Sequence, residues 1–302
     1  MNTNIYWPIY KNIESEFNNL MFNIHIDDTQ LNVYSSKISD LILRASAEIE
    51  SISKELYKLH GGPKTSNIRY DEDAIVFLNT LWNLEQKVVI VISYNCFITK
   101  KEVRPFKKNE MRTGSTRQTY SWNNSYQNLK HDRANSLSFG NVKYLFEVTA
   151  ALFILNIYYK DLIYDLEDDS TASKFDLSMG SSIYSIKLHN NTNISIDKEY
   201  EKNTDFDECI YLLLATNETY TKVQDALKKV NEETLERNRQ QILNYLTAEK
   251  ITDPKTIQST TDNVIEKIKT DNMVAVAKEN GINLLSALNG LRYEAILNKK
   301  QY

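Results

Sequence analysis

The sequence predicts a mainly α-helical protein: a helical bundle with a small β insertion, followed by a C-terminal helical region. Three observations carry this. The 302 residues include only seven Gly and four Pro, where average usage of roughly 7% and 5% would supply about twenty and about fifteen. Apolar residues from Ile38 to Leu59 recur at helical spacing. The stretch from Val142 to Ile157 is apolar nearly all round, as a helix at the centre of a bundle must be.

Glycine supplies positive-φ turns and phosphate loops, and proline punctuates short strands. The seven glycines cannot be arranged as G-x-G-x-x-G or G-x-x-x-x-G-K-[ST], so dinucleotide-binding and P-loop readings are excluded. Cys96, Cys209, His25, His60, His131 and His189 lie far apart in the chain. No metal-ligand spacing is present, so neither a metal site nor another cofactor is expected. The N-terminal residues lack the basic start and apolar core of a secretory signal. The greasy stretch Tyr144 to Tyr159 carries Glu147 and Asn156 and is short for a membrane span. A soluble, cytoplasmic protein is the expectation.

In chain order, residues 1–34 form an N-terminal segment and residues 35–165 the bundle. Ile38, Leu41, Ile42, Ala45, Ile49, Ile52, Leu56 and Leu59 place one apolar stripe on a helix. Ser35 or Ser36 caps it, and Gly61-Gly62-Pro63 stop it. Arg44, Glu48 and Glu55 line one margin, with an i,i+4 ion pair expected between the first two. A shorter helix covers 73–84. Val88-Val89-Ile90-Val91-Ile92 is the strongest strand signal, the centre of a β insertion at about 86–106. Helices follow at 121–133 and 141–164, with Asn141 as cap of the second. Residues 166–204 read as a connector with a possible β-hairpin over 183–196. Residues 205–302 read as helices at about 206–230, 232–249, 260–279 and 282–298.

Charge is uneven. Against a net charge of −4, residues 100–133 carry nine basic and three acidic side chains. Lys100, Lys101, Arg104, Lys107, Lys108, Arg112 and Arg117, with Trp122 and Tyr126 interleaved, compose a candidate RNA-binding surface for phosphates and stacked bases. On a helix over 121–133, Trp122, Tyr126, Leu129 and Arg133 share one face, and Asn124, Gln127, Asn128 and His131 the other. An exposed histidine beside amides and Lys130 is equipped for acid–base work on a phosphodiester.

These residues also carry a resemblance. Val33-Tyr34-Ser35-Ser36, Ala45-Ser46-Ala47-Glu48-Ile49-Glu50, Arg104-Pro105-Phe106, Trp122 with Tyr126-Gln127-Asn128-Leu129-Lys130-His131-Asp132-Arg133, and Ala150-Ala151-Leu152-Phe153-Ile154-Leu155 together resemble bacterial HEPN-like proteins over about residues 30–165. The resemblance implies a helical bundle, commonly a homodimer, in toxin–antitoxin, abortive-infection and other anti-phage systems. It implies a metal-independent ribonuclease in which a 2′-hydroxyl attacks the adjacent phosphate. His131 would be the general acid/base, Arg133 or Lys130 the phosphate-binding cation, and Gln127 and Asn128 their neighbours. The family's arginine, separated from the histidine by four to six intervening residues, is absent, since those positions hold Tyr126, Ser125 and Asn124. Two readings stay open: a ribonuclease, or a catalytically silent module that binds RNA or dimerises and recruits a protein partner through its C-terminal helices.

Overall fold

In the computed structural model, which describes residues 5–92, 96–192 and 202–300, the stripe from Ile38 to Leu56 is buried along α2 (Ser36–Leu59). The Ser35 hydroxyl accepts a hydrogen bond from the Ile38 amide at 3.1 Å and starts the helix. Beneath α2 lies α5 (Val142–Lys160), capped by Asn141. By length and composition α5 could cross a membrane, but 83% of its apolar window is buried inside the protein. An apolar circumference therefore marks the core helix.

A third long helix precedes both. In α1 (Tyr6–Asn23), Tyr6, Tyr10, Ile13, Phe17 and Leu20 are buried against α2 and α5. Arg44 reaches across to α1, bonding Asn12 at 2.6 Å and lying 3.4 Å from Glu16, so the expected pair with Glu48 gives way to one between helices. Glu55 instead accepts the hydroxyls of Tyr6 and Tyr159, each at 2.6 Å. Five consecutive residues, Tyr70–Ala74, form a π-helical turn leading into α3 (Ile75–Trp82).

The mainly-α bundle expected from sequence is corrected to a mixed α/β fold: 55% helix and 13% strand, with three small sheets. The first confirms the β-branched run as a strand, β1 (Val89–Val91), but places it between β2 (Lys101–Val103) and β6 (Tyr184–Ile186), antiparallel to both. The second is a hairpin of β3 (Lys108–Met111) and β4 (Gln118–Tyr120), immediately before α4 (Ser121–His131). Polar, charged strands of three or four residues give too little alternation to be read from sequence.

The third sheet overturns the all-helical C-terminal region. Its order is β5 (Tyr164–Glu167), β9 (Tyr293–Leu297), β8 (Tyr211–Ala215), β7 (Leu188–Asn191), with β7 parallel to β8 and the other pairs antiparallel. Of the hairpin expected over 183–196, the described part forms two strands in two different sheets, β6 and β7, while its second arm, 194–196, lies outside the described residues. A run such as Tyr211–Ala215 suits a buried strand and a buried helix equally by pattern, and sheet partners distant in sequence decide. Between β8 and β9 come α6 (Asn217–Ala248), α7 (Pro254–Glu279) and α8 (Gly281–Leu288). Helix α6 runs unbroken through the gap expected near 231. Pro254 is the first residue of α7, where its missing N–H has no intrahelical role, and the Asp253 carboxylate caps Thr256.

Candidate nucleic-acid interface

Helix α4 sits between α2 and α5 on one side and the β3–β4 hairpin on the other. Its apolar face is wholly internal. Trp122 is fully buried and donates its indole N–H to the Pro105 carbonyl at 2.8 Å. Tyr126 is buried against Tyr70. Neither ring can stack on a base, so their assignment as RNA-binding residues is corrected: an aromatic at helical spacing here is core.

The polar face of α4 is a scaffold. The Asn124 carbonyl oxygen accepts the backbone N–H and the hydroxyl of Thr113, at 3.0 and 3.2 Å, and Asn128 donates to the Thr113 hydroxyl at 2.9 Å. Thr113 lies at the tip of the hairpin, beside Gly114 with its φ of +71°. Only a residue tolerant of the left-handed region turns the chain there without strain. Gln127 donates to the buried Tyr70 hydroxyl at 2.9 Å, and that hydroxyl donates to Asn123. Burial pushes the Tyr70 hydroxyl well above its ordinary pKa, so it serves as a neutral donor. Asn128, expected beside a reacting phosphate, holds the hairpin loop in place, and Gln127 holds the π turn while also lining the hollow beside it.

The turn held by Tyr70 is the π-helical one. The Ala74 amide reaches back five residues to the Arg69 carbonyl at 3.1 Å, and the Asp73 carboxylate accepts the Arg69 amide at 2.7 Å. Single π turns recur at functional sites. This one aims Asp71 and Glu72 toward the hairpin.

Two adjoining hollows result, sharing Asp71, Glu72 and Arg112. The larger, about 450 Å³, runs between α2, the π turn and the end of α4, past Lys54, Arg69, Gln127 and Lys130. The smaller continues along the hairpin past Lys108 and Arg117. Together six cations, Lys54, Arg69, Lys108, Arg112, Arg117 and Lys130, face three carboxylates, Glu50, Asp71 and Glu72. Lys54 is paired with Glu50 at 2.7 Å. Glu72 bonds both Arg69 and Arg117. Those bonds hold the Glu72 carboxyl below the usual range and raise the Arg69 guanidinium further. Lys108 lies over the Tyr120 ring, and Lys130 over that of Tyr126, 5.4 and 5.1 Å from the centroids. The Arg112 guanidinium has no acidic partner among the described residues.

The basic segment therefore divides. Lys108, Arg112, Arg117 and Lys130 converge on the groove. Lys100, Lys101 and Arg104 lie with the β1 sheet, paired with Glu102, Asp28 and Glu208, and Lys107 is exposed outside both hollows. Lys54 and Arg69 joined the site without a sequence signal, since each comes from outside residues 100–133.

His131 is exposed at the last position of α4, and its side chain makes no hydrogen bond or ion pair among the described residues. Arg133, past the helix end, donates to the Ser36 carbonyl at 3.3 Å. Neither lines the groove. No hydrogen bond joins His131 to Arg133 among the described residues, and the Arg133 guanidinium is turned to the Ser36 carbonyl.

Comparison with known proteins gives no match: no protein family, no curated protein and no solved structure matches the chain.

The described residues do bring together one set of metal-capable side chains that linear spacing hid. His189, Asp205 and Cys209 hold ligand atoms all within 4.8 Å of one another. The metal-free expectation from sequence rested on Cys–His distances along the chain, and it missed a set completed by a carboxylate and closed by the third sheet.

Proposed function

We propose that the protein binds single-stranded RNA through its phosphates in the groove between the π turn, the hairpin and α4, as a module that does not itself cut the strand. The observation that carries this is Arg112: a guanidinium without an acidic partner among the described residues, at the junction of both hollows, with Lys108 on one side and Lys130 on the other. A planar five-donor cation in that position suits a phosphate. The aromatic rings beside the groove, Tyr70, Tyr120, Trp122 and Tyr126, are buried, so recognition there is of the backbone and tolerant of sequence.

Binding by three such cations gives an affinity falling with salt at a log–log slope of about −2, at roughly 0.7 per phosphate for single strands. Arg112→Ala weakens binding to all sequences alike and flattens the slope by about 0.7. Titration of a labelled oligoribonucleotide at several salt concentrations checks both. Unchanged affinity in Arg112→Ala combined with Lys130→Ala removes the groove from consideration. RNA cleavage by the wild type that is lost in His131→Ala overturns the non-catalytic reading in favour of the ribonuclease.

A further inference from the structure

A second site lies beside the C-terminal sheet. Residues 205–209 make one helical turn, with the Cys209 amide donating to the Asp205 carbonyl at 3.2 Å. Residues four apart on such a turn project from the same side, which sets the Asp205 carboxylate over the Cys209 thiol: Oδ2 and Sγ are 3.7 Å apart. The parallel pairing of β7 with β8 then brings in His189, opposite Leu212 in the register. Its Nδ1 is 2.9 Å from Asp205 Oδ1. His189 and Cys209 are buried, whereas the Asp205 side chain is 48% exposed.

We propose that His189 Nδ1, an Asp205 carboxylate oxygen and Cys209 Sγ bind a zinc ion, with the fourth position open toward solvent on the Asp205 side. One imidazole nitrogen, one carboxylate oxygen and one thiolate are the donor types zinc selects. The spacing fits as well. Tetrahedral zinc with bonds of about 2.0 Å to N and O and about 2.3 Å to S separates N from O by about 3.3 Å and S from O by about 3.5 Å. His189 Nδ1 is 2.9 Å from Asp205 Oδ1 and Cys209 Sγ is 3.7 Å from Asp205 Oδ2, and one ligand atom of each residue lies within 4.8 Å of the others, so a rotation of the half-exposed carboxylate presents a single oxygen to both at about such edges. The ion would take the place of the proton shared between His189 and Asp205, leaving Nε2 to carry the ring's remaining proton. Binding releases the thiol proton. Nearby Lys87, whose ammonium donates to the Cys209 carbonyl at 2.9 Å, bonds the backbone and leaves the sulfur to the ion.

The three donors come from the β7 edge strand and from the turn that enters β8, so the ion would clamp the parallel edge of the sheet. Nothing in the groove is involved, and the proposal stands apart from RNA binding. The test is metal content and stability of the full-length protein. Protein made with added zinc is expected to retain stoichiometric metal. Metal-free protein is expected to show a melting temperature that climbs with free zinc, as linkage requires. Cobalt in place of zinc is expected to give thiolate-to-cobalt charge-transfer absorption. Cys209→Ser and Asp205→Asn should each lose these responses. Because Asp205 is half exposed, Asp205→Asn serves as the variant that keeps its fold, checked by an unchanged circular dichroism spectrum. Absence of retained metal together with a zinc-independent melting temperature overturns the site, as does a cobalt signal that survives both substitutions.

Discussion

Helix α5 and the α6–α7 pair are all long helices, and they are held in opposite ways. From Val142 to Tyr158 nearly every side chain of α5 is buried. Along the 32 residues of α6 and the 26 of α7, the buried residues are few: Thr219, Val223, Val230, Thr234 and Asn238 on the first, Asn272 and Val276 on the second. Where the two helices meet, Asn272 donates to Asn238 at 2.6 Å and exchanges hydrogen bonds with Gln241 at 3.1 and 3.2 Å. A polar contact in a helix seam sets register at the expense of stability. The lesson is that helical periodicity reports local geometry, while the number of apolar residues per turn reports how much of the core a helix carries.

The sharpest way to break that comparison is to remove a side chain from the dense half. Trp122→Ala deletes a fully buried indole and leaves the Pro105 carbonyl without its donor. A loss of about 3–5 kcal/mol is expected, read as a lower urea midpoint. A change of less than about 1 kcal/mol would mean that the site collapses readily and the core is loosely packed.

A charge buried in the same half gives the next largest effect. Glu147 on α5 accepts the Ser121 hydroxyl, and burial with the nearby Glu110 carboxylate pushes its carboxyl up to about 7. The folded state then binds a proton that the unfolded chain, at about 4.5, releases. Stability is full below the unfolded value and falls as pH climbs from about 4.5 to about 7, by about 3 kcal/mol at 1.36 kcal/mol per pH unit. Glu147→Gln should flatten that slope in denaturant titrations from pH 4.5 to 7.5. An unchanged slope assigns the pH dependence to other groups.

The smallest effect belongs to the sparsely buried α6–α7 pair. Leu235 and Leu243 are 67% and 52% exposed on α6, and truncating either to alanine should move stability by less than about 0.5 kcal/mol. A loss above about 2 kcal/mol that grows on dilution would show that a second copy of the chain covers this face in solution.

The elements legible in the sequence are those whose instructions are local. Ser35 and Asn141 cap the helices they precede, the stripe is buried from Ile38 to Leu56 although its last residue, Leu59, is exposed, and the middle of the Val88–Ile92 run, Val89–Val91, is a strand. At the candidate site, the convergence of basic residues was legible for Lys108, Arg112, Arg117 and Lys130. It was misleading for Trp122 and Tyr126, because amphipathic spacing does not say which face of a short helix is covered. Lys54 and Arg69 were invisible: their place in the groove depends on the π turn at Tyr70 meeting the hairpin, a contact between segments some forty residues apart.

The sequence by itself determined which segments are helical near their caps, which helix is central, and that positive charge gathers in residues 100–133 of an acidic chain. These follow from backbone sterics, capping and the burial of apolar side chains, all set within a few residues. Only the tertiary structure decided that β6 joins β1, that β5, β7, β8 and β9 form one sheet, that His131 and Arg133 stand outside the groove, and that His189 meets Asp205 and Cys209. Strand pairing and side-chain clusters depend on the relative placement of distant segments, which only the packed core supplies.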